Sequence, residues 1–246
     1  MAATYSEERD GPALLQQIDA LPWDRIASDL DTFGAAPIPP LLDSAQCMQL
    51  IALFGDDARF RKRIDMGQHA YGEGEYKYFT YPLPPLVQAL RVGLYRHLAP
   101  IGNRWATALG TPTRYADSLA DFLDLCASAG QTKPTPLMLH YGPGGYNCLH
   151  QDLYGAVAFP LQVVFALSDP GRDYTGGDVL LVEQRPRAQS RGDSYVLARG
   201  AGLVFTTRYR PVAGRRGSYR VNVRHGVSRI RTGERFTLGI IFHDAA

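Results

Sequence analysis

The chain has 246 residues, of which 45% are hydrophobic and 20% are charged, with a formal net charge of +2 at pH 7. This length and balance predict a globular protein of one large domain, or one domain with a helical extension, and argue against a disordered or fibrous chain. The lack of any long apolar run argues against a membrane-spanning helix, and the polar, acidic start lacks the layout of a secretory signal, so we expect a cytoplasmic protein without a membrane partner.

The charge is unevenly distributed along the chain. Residues 185–235 contain thirteen arginines, no lysine and only two acids, Asp193 and Glu234, whereas residues 1–184 are acidic overall. A basic region of this kind favours an anionic partner, either nucleic acid or small acids. A solvated arginine face with structural ion pairs is an equally open interpretation.

The first half of the chain is predicted to be mainly helical. Apolar residues recur at i, i+3 and i+4 spacing in four segments, residues 14–26, 42–54, 83–109 and 116–129. Asp43 and Ser44 are a plausible cap for the second segment, and Pro100 predicts a break in the third. Between these helices, Tyr71 to Tyr81 is rich in aromatic residues and glycine and favours strand and loop.

From Pro136 the sequence changes to short β runs separated by turn residues. The predicted strands are 137–141, 161–167, 178–182, 202–206, 218–225 and 236–242. Many short strands at this spacing favour a double-sheet jelly roll, also called a double-stranded β-helix. We therefore expect an α+β protein in which a mainly helical region, residues 1–130, packs on a β-helix core formed by residues 131–246.

A His-x-Asp pair, His150 and Asp152, is the strongest sequence signal. On an extended strand the two side chains share one face, because side chains alternate with period 2. His225 lies 75 positions further along and completes a 2-His-1-carboxylate set, which leaves positions open for non-haem Fe(II) and O₂ chemistry. We expect all three residues to be metal ligands and catalytic. The alternatives are a hydrogen-bonded histidine–carboxylate pair and a zinc hydrolase, whose metal accepts the same donors.

Arg235 lies about one strand length after His225, the last of the predicted metal ligands in the sequence. Its guanidinium is suited to bidentate binding of a carboxylate, as on a dicarboxylate co-substrate, whereas a zinc hydrolase has no general need for such a group. Tyr141, nine residues before His150, is a second candidate for the same carboxylate, with a core tyrosine as the alternative.

Substrate contacts have weaker signals. Tyr76 and Lys77 combine an aromatic ring and a cation, as surfaces that stack bases do, although tyrosines in a strand more often serve packing. Arg185 lies in a polar run, residues 183–187, that is predicted to be a loop. Its polar residues are candidates for lining a substrate channel, with a solvated turn as the alternative.

These motifs together resemble those of a known superfamily. Tyr141-Gly-Pro-Gly and Leu149-His150-Gln151-Asp152 resemble the iron-binding stretch of AlkB-type nucleic-acid demethylases, including a tyrosine that there contacts 2-oxoglutarate. Gly176-Gly177-Asp178 and Arg224 through Arg235 are similar to the prolyl-hydroxylase branch of the 2-oxoglutarate/Fe(II) oxygenases. The combination resembles one bacterial family of such oxygenases, a family described as acting on damaged nucleic acid. Leu139 replaces the asparagine of AlkB-type enzymes, so their reaction is not implied as a whole.

The resemblance implies a dioxygenase that uses Fe(II), 2-oxoglutarate and O₂ and releases succinate and CO₂ while it hydroxylates or demethylates a substrate. The first hypothesis for that substrate is a modified nucleic acid or nucleotide, such as single-stranded or damaged DNA in DNA repair. The second hypothesis for the substrate is a protein side chain or a small molecule. A third hypothesis is that the chain is a non-catalytic β-barrel binding module and not an enzyme.

Overall fold

The computed structural model describes residues 7–152, 154–215 and 217–246. Within these ranges, the helices are α1 (Glu7–Asp19), α2 (Trp23–Phe33), α3 (Ser44–Leu53), α4 (Pro85–Ala108) and α5 (Leu119–Ser128). The strands are β1 (Ala35–Ile38), β2 (Phe60–Asp65), β3 (Gly72–Glu73), β4 (Glu75–Phe79), β5 (Leu137–Tyr141), β6 (Tyr146–His150), β7 (Leu161–Ala166), β8 (Tyr174–Gly176), β9 (Val179–Gln184), β10 (Arg191–Tyr195), β11 (Gly202–Thr206), β12 (Tyr209–Gly214), β13 (Gly217–Val227), β14 (Ile230–Gly233) and β15 (Arg235–Ile240).

Helix α3 follows its predicted cap, whereas α4 departs from the prediction. Asp43 accepts a hydrogen bond from the Gln46 backbone while the Gln46 side chain accepts one from the Asp43 backbone, which forms a capping box. The predicted break near Pro100 is wrong, because α4 runs through Pro100 to Ala108. Pro100 faces solvent, and burial of Leu98 and Trp105 on either side of it outweighs the lost backbone hydrogen bond.

The first predicted helix, residues 14–26, is two helices in the structure. Helix α1 ends at Asp19 and α2 begins at Trp23, with Pro22 between them. Apolar spacing continues across this junction because both helices bury one face, so periodicity alone does not reveal the turn.

Two antiparallel sheets form the predicted jelly roll. The larger sheet has the order β1-β11-β7-β15-β5-β4-β2, and the smaller has the order β10-β9-β13-β6-β3 with β12 beside β13. Strands β1 to β4, which lie before residue 130, join both sheets. The division between residues 1–130 and 131–246 remains a prediction, and the first region supplies sheet edges as well as helices.

The hydrophobic core has two main parts. One cluster packs α4 against the larger sheet, with Leu94, Leu98 and Leu238 fully buried. The other fills the space between the sheets and includes Leu181 and Phe205. The sandwich is therefore closed at one end by apolar packing, which leaves the other end for polar side chains. No helix among the described residues has the length and apolar character to cross a membrane.

Candidate active site

The three predicted metal ligands converge between the sheets. His150 ends β6 and pairs in register with His225 on the neighbouring strand β13. The Asp152 carboxylate lies between the two imidazoles, 3.0 Å from His225 Nε2 and 3.5 Å from His150 Nε2. One donor atom of each residue lies within 4.8 Å of the others, so the set has the compactness that a single metal ion requires.

The sequence predicted that strand alternation places Asp152 on the same face as His150. The structure does not support that explanation of the position of Asp152. Strand β6 ends at His150, and Asp152 lies in the segment that follows. Between them, the Gln151 side chain donates hydrogen bonds to the carbonyls of Arg208 and Val223, at 3.2 and 2.8 Å. These contacts anchor the chain to β13 and its neighbouring loop, so that the flanking residues both face the opposite side.

Hydrogen bonding prepares His150 to bind a cation. Its Nδ1 donates to the Cys148 carbonyl at 2.7 Å, which leaves Nε2 with a free lone pair directed at the site. Across the site, His225 is buried and its Nδ1 has no hydrogen-bond partner among the described residues. Both imidazoles therefore present Nε2 to the carboxylate.

The electrostatics of the triad also fit a metal. Burial works against ionisation of Asp152, but the neighbouring His225 and His150 hold the pKa of its carboxyl well below its usual range. Burial lowers the pKa of His225 despite the nearby carboxylate. At His150, burial acts in the same direction, but the Asp152 carboxylate outweighs it and raises the pKa. An ionised carboxylate and a neutral imidazole are the protonation states in which these groups ligate. The donor set fits Fe(II), which carboxylate and imidazole ligands bind in oxygenases.

Tyr154 contacts this site and was not identified from the sequence. Its hydroxyl donates a 2.7 Å hydrogen bond to Asp152 Oδ1, and its ring meets the edge of Tyr78 at 6.0 Å. Hydrogen bonds of this kind orient ligating carboxylates. A tyrosine two residues after an aspartate has no distinctive spacing, so only the fold reveals its contact with Asp152.

Arg235 lies deeper in the same cavity. It begins β15, pairs in register with Tyr141 on β5 and is only 3% exposed. Its guanidinium carbon lies 5.5 Å from the Tyr141 ring centre and 5.8 Å from that of Tyr174, and its Nε has no hydrogen-bond partner among the described residues. A buried cation that lacks a protein acid is suited to an anionic ligand.

The Gly176-Gly177 motif leaves space for the Arg235 side chain. Gly177 has a φ of +71°, and a Cβ at that position would lie 2.3 Å from Ile230 and 2.9 Å from Arg235 Cδ. A side chain there would displace the arginine, and the backbone conformation also favours glycine. The motif therefore makes room for the guanidinium beside β14.

One cavity joins these groups. Its volume is about 440 Å³, and its lining includes the metal triad, Arg235 and Tyr141. Tyr141 is fully buried, and its hydroxyl lies 3.4 Å from the Asn147 side-chain nitrogen, which donates to it. A single cavity thus encloses the three possible metal ligands together with Arg235 and the buried Tyr141.

A set of four tyrosines, the tyrosine channel, lines this cavity and also a second cavity beside it. The members are Tyr71, Tyr76, Tyr78 and Tyr154. The second cavity also contains Arg61, Lys62 and Lys133, and the Arg61 guanidinium lies 4.7 Å from the Tyr78 ring centre. Predicted residue Tyr76 is therefore at the site, together with aromatic and basic neighbours that the sequence did not single out.

Two predicted substrate contacts lie elsewhere. Lys77 is buried on the other face of β4, where its ammonium binds the Phe54 carbonyl at 2.8 Å and Asp57 at 2.7 Å. Residue alternation explains this placement, since Tyr76 faces the cavity. Arg185 binds Glu183 at 2.8 Å and does not line the cavity. The predicted loop at 183–187 is also corrected, because β9 includes Glu183 and Gln184.

The arginine-rich region, residues 185–235, contains both ion-paired arginines and exposed arginines. Arg185, Arg191, Arg199 and Arg210 pair with acids, and the Arg210–Glu183 pair is almost completely buried. Other arginines of this region, such as Arg220 and Arg224, are exposed without an ion pair among the described residues. Part of the charge is therefore structural and part faces solvent.

Comparison with known proteins agrees with this geometry. A model of an oxygenase family, described as catalysing oxidative methylation of damaged DNA, matches residues 74–245. Two strains of Mycobacterium tuberculosis have relatives, the uncharacterized proteins MT2286 and Rv2227, that are 56% identical over 168 residues, 68% of this chain and 72% of each relative.

Solved structures share the fold. An oxidoreductase of the 2OG-Fe(II) oxygenase family from Burkholderia pseudomallei has a TM-score of 0.55 and 14% identity, covering 91% of this chain and 92% of that one. A prolyl-4-hydroxylase from Pseudomonas putida has a TM-score of 0.53 and 15% identity, covering 91% and 99%. By sequence match, the chain belongs to the oxygenase family whose model covers residues 74–245, and it shares its fold with solved 2OG-Fe(II) oxygenases.

Proposed function

We propose that the protein oxidises a modified base of single-stranded or damaged nucleic acid, by hydroxylation or demethylation. The observation that carries this proposal is the tyrosine channel, which leads from a basic opening to the metal triad. The family description, which names damaged DNA, supports the same substrate class. The channel offers aromatic faces for a base and cations for phosphate, the two features that bind single strands.

Each protein group has a role in this proposal. His150, Asp152 and His225 hold Fe(II), and Arg235 binds the distal carboxylate of 2-oxoglutarate with Tyr141 beside it. Bound Fe(II) and 2-oxoglutarate supply the oxidising power: O₂ and 2-oxoglutarate are consumed, one oxygen atom enters the substrate, and succinate and CO₂ are released. The protein orients the substrate and excludes water from the cavity.

Tyr71 is the most exposed member of the channel, with 50% of its surface exposed. It stacks with His69 at a ring separation of 5.3 Å, so an aromatic pair lies at the opening. A base removed from a strand needs such a surface before it enters an active-site pocket. We therefore assign Tyr71 to the first contact with the target base.

The test is succinate release by the iron-loaded protein with methylated oligonucleotides, unmodified oligonucleotides and proline-containing peptides. We expect methylated single strands to stimulate release most. Tyr71→Ala should lower that stimulation about tenfold, since stacking contributes about 1–3 kcal/mol per base, without changing release in the absence of substrate. Tyr146→Ala, which removes an exposed tyrosine outside both cavities, is the control. Stimulation by peptides alone would replace nucleic acid with a protein substrate.

A further inference from the structure

A third cavity lies away from the metal triad and has no role in the proposed reaction. Its volume is about 310 Å³, at the lower end of the range for small-molecule sites. It is formed by the end of α4, the segment after it, residues 155–160 and the start of β12. Its lining includes three aromatic residues and two arginines, namely Trp105, Tyr115, Tyr209, Arg208 and Arg220.

The two arginines have no acid partner in the described ranges. Their neighbour Arg210, by contrast, binds Glu183. The Arg208 Nε is buried and lacks a hydrogen-bond partner among those same residues. An unsatisfied buried donor costs free energy unless a ligand meets it.

Tyr209 holds the two guanidiniums near each other. Their central carbons lie 4.3 Å (Arg208) and 4.6 Å (Arg220) from the Tyr209 ring centre. Each guanidinium offers planar N–H donors of the kind that phosphate oxygens accept. Antiparallel pairing of β12 with β13 produces the arrangement, because it brings residue 220 opposite residue 211.

The rest of the cavity wall is apolar and aromatic. Phe159 and Pro160 form one side, and Tyr115 packs edge-on against Phe159 with a ring separation of 5.0 Å. Tyr115 and Pro160 are partly exposed in this wall, whereas Phe159 is buried behind them. A phosphate alone leaves the exposed part in water, whereas a phosphate attached to a flat ring covers it. Charge at one end and aromatic surface at the other therefore indicate a single amphipathic ligand.

We propose that this cavity binds a nucleotide unit, with its phosphate on Arg208 and Arg220 and its base against the aromatic wall. The ligand is either a free nucleoside monophosphate or one nucleotide of a bound strand, since both present the same chemistry. The site lies behind the metal-ligand segment: Asp152 and Tyr154 face the metal cavity, and residues 155–160 face this one.

The test is calorimetric titration of the full chain with adenosine monophosphate, inorganic phosphate and adenosine, at saturating 2-oxoglutarate so that Arg235 is occupied. We expect adenosine monophosphate to bind with one site per chain and at least tenfold more tightly than phosphate or adenosine. Arg220→Gln and Arg208→Gln should each weaken that binding about tenfold. Arg220 is exposed, so its variant keeps the fold even if the Arg208 variant does not.

Arg224→Gln is the matched control, because Arg224 is exposed on the same strand but does not line the cavity. Equal loss in Arg224→Gln and Arg220→Gln, or loss only in Arg235→Lys, would overturn the site in favour of general charge or the metal cavity. A short single strand separates the two sources of the ligand. Competition between that strand and adenosine monophosphate, sensitive to Arg220→Gln, identifies a strand nucleotide; independent binding identifies a free nucleotide. Succinate release tests the proposed reaction separately.

Discussion

At the scale of single residues, the site depends on charged side chains that are buried. Asp152 and Arg235 are both largely buried, with opposite charges and different surroundings. The Asp152 carboxylate lies between two imidazoles, whereas the Arg235 guanidinium has no ion pair among the described residues. This asymmetry leaves a cation site beside an anion site. Substitutions at the two positions should therefore affect different ligands.

His225→Ala should abolish metal-dependent turnover, because it removes one of three donors and leaves Asp152 with a single imidazole. We expect stoichiometric iron binding to be lost while the circular dichroism spectrum stays unchanged. His97→Ala is the control, since His97 lies on α4 beside Asp19 and away from the cavity. Full iron content and activity in His225→Ala would show that another residue completes the metal site.

Arg235→Lys should raise the half-saturating concentration of 2-oxoglutarate about tenfold, and Arg235→Ala should raise it further. A lysine keeps the charge but lacks the planar fork that binds a carboxylate through two hydrogen bonds. Titration of 2-oxoglutarate by succinate release measures both effects. Arg231→Lys, an exposed arginine on β14, provides the comparison. The same half-saturation in all four proteins would assign the carboxylate to a different arginine.

At the scale of elements, a buried ion pair joins the two strands that flank the strand carrying His225. Glu183 on β9 binds Arg210 on β12, and the two side chains are 4% and 1% exposed. Burial opposes ionisation, but hydrogen bonds from Arg185 and Arg210 lower the pKa of Glu183. Strand β13, which carries His225, lies between β9 and β12.

Glu183→Gln should lower the free energy of unfolding by about 3–5 kcal/mol at neutral pH, since it leaves the Arg210 charge buried without an acid. Because the folded pKa of Glu183 is below its unfolded value, its contribution is complete above that unfolded value and is lost as the pH falls through the folded pKa. Denaturant titration at neutral and acidic pH measures this, with a smaller difference expected in acid.

The exposed pair Arg191–Asp193 supplies the control for that experiment. Asp193→Asn should change the free energy of unfolding by less than about 1 kcal/mol, because solvent screens the pair. Similar effects of the two substitutions, or no dependence on pH for Glu183→Gln, would contradict a stabilising role of the buried pair.

At the scale of the whole molecule, the distribution of charge should govern binding to a polyanion. Basic groups lie both at the opening of the tyrosine channel and along the arginine-rich region. Release of counterions makes nucleic-acid binding weaken steeply with salt, whereas a small neutral substrate is almost unaffected.

We therefore expect the affinity for a short single strand to fall at least tenfold between about 50 and 200 mM salt. Fluorescence anisotropy with a labelled oligonucleotide measures the slope. Lys133→Gln, at the channel opening, should make the slope shallower, whereas Lys62→Arg should preserve it. The absence of binding at low salt would remove nucleic acid as the substrate and leave a protein side chain or a small molecule.

The sequence alone predicted the jelly roll and singled out the four residues that the fold gathers in one cavity. Short apolar runs bounded by turn residues identify β5, β7 and β11, and the order His150, Asp152, His225 and Arg235 is a pattern of residue types that is visible without coordinates. These signals are local or depend on residue type, so they are visible along one chain.

Only the tertiary structure decided how those residues meet and what surrounds them. Asp152 reaches the imidazoles because Gln151 binds the backbone of another strand, and Tyr154 reaches Asp152 because the chain turns after β6. The alternation of β4 places Tyr76 in the cavity and Lys77 against Phe54. These outcomes depend on contacts between residues far apart in the chain, which strand register sets and local sequence does not encode.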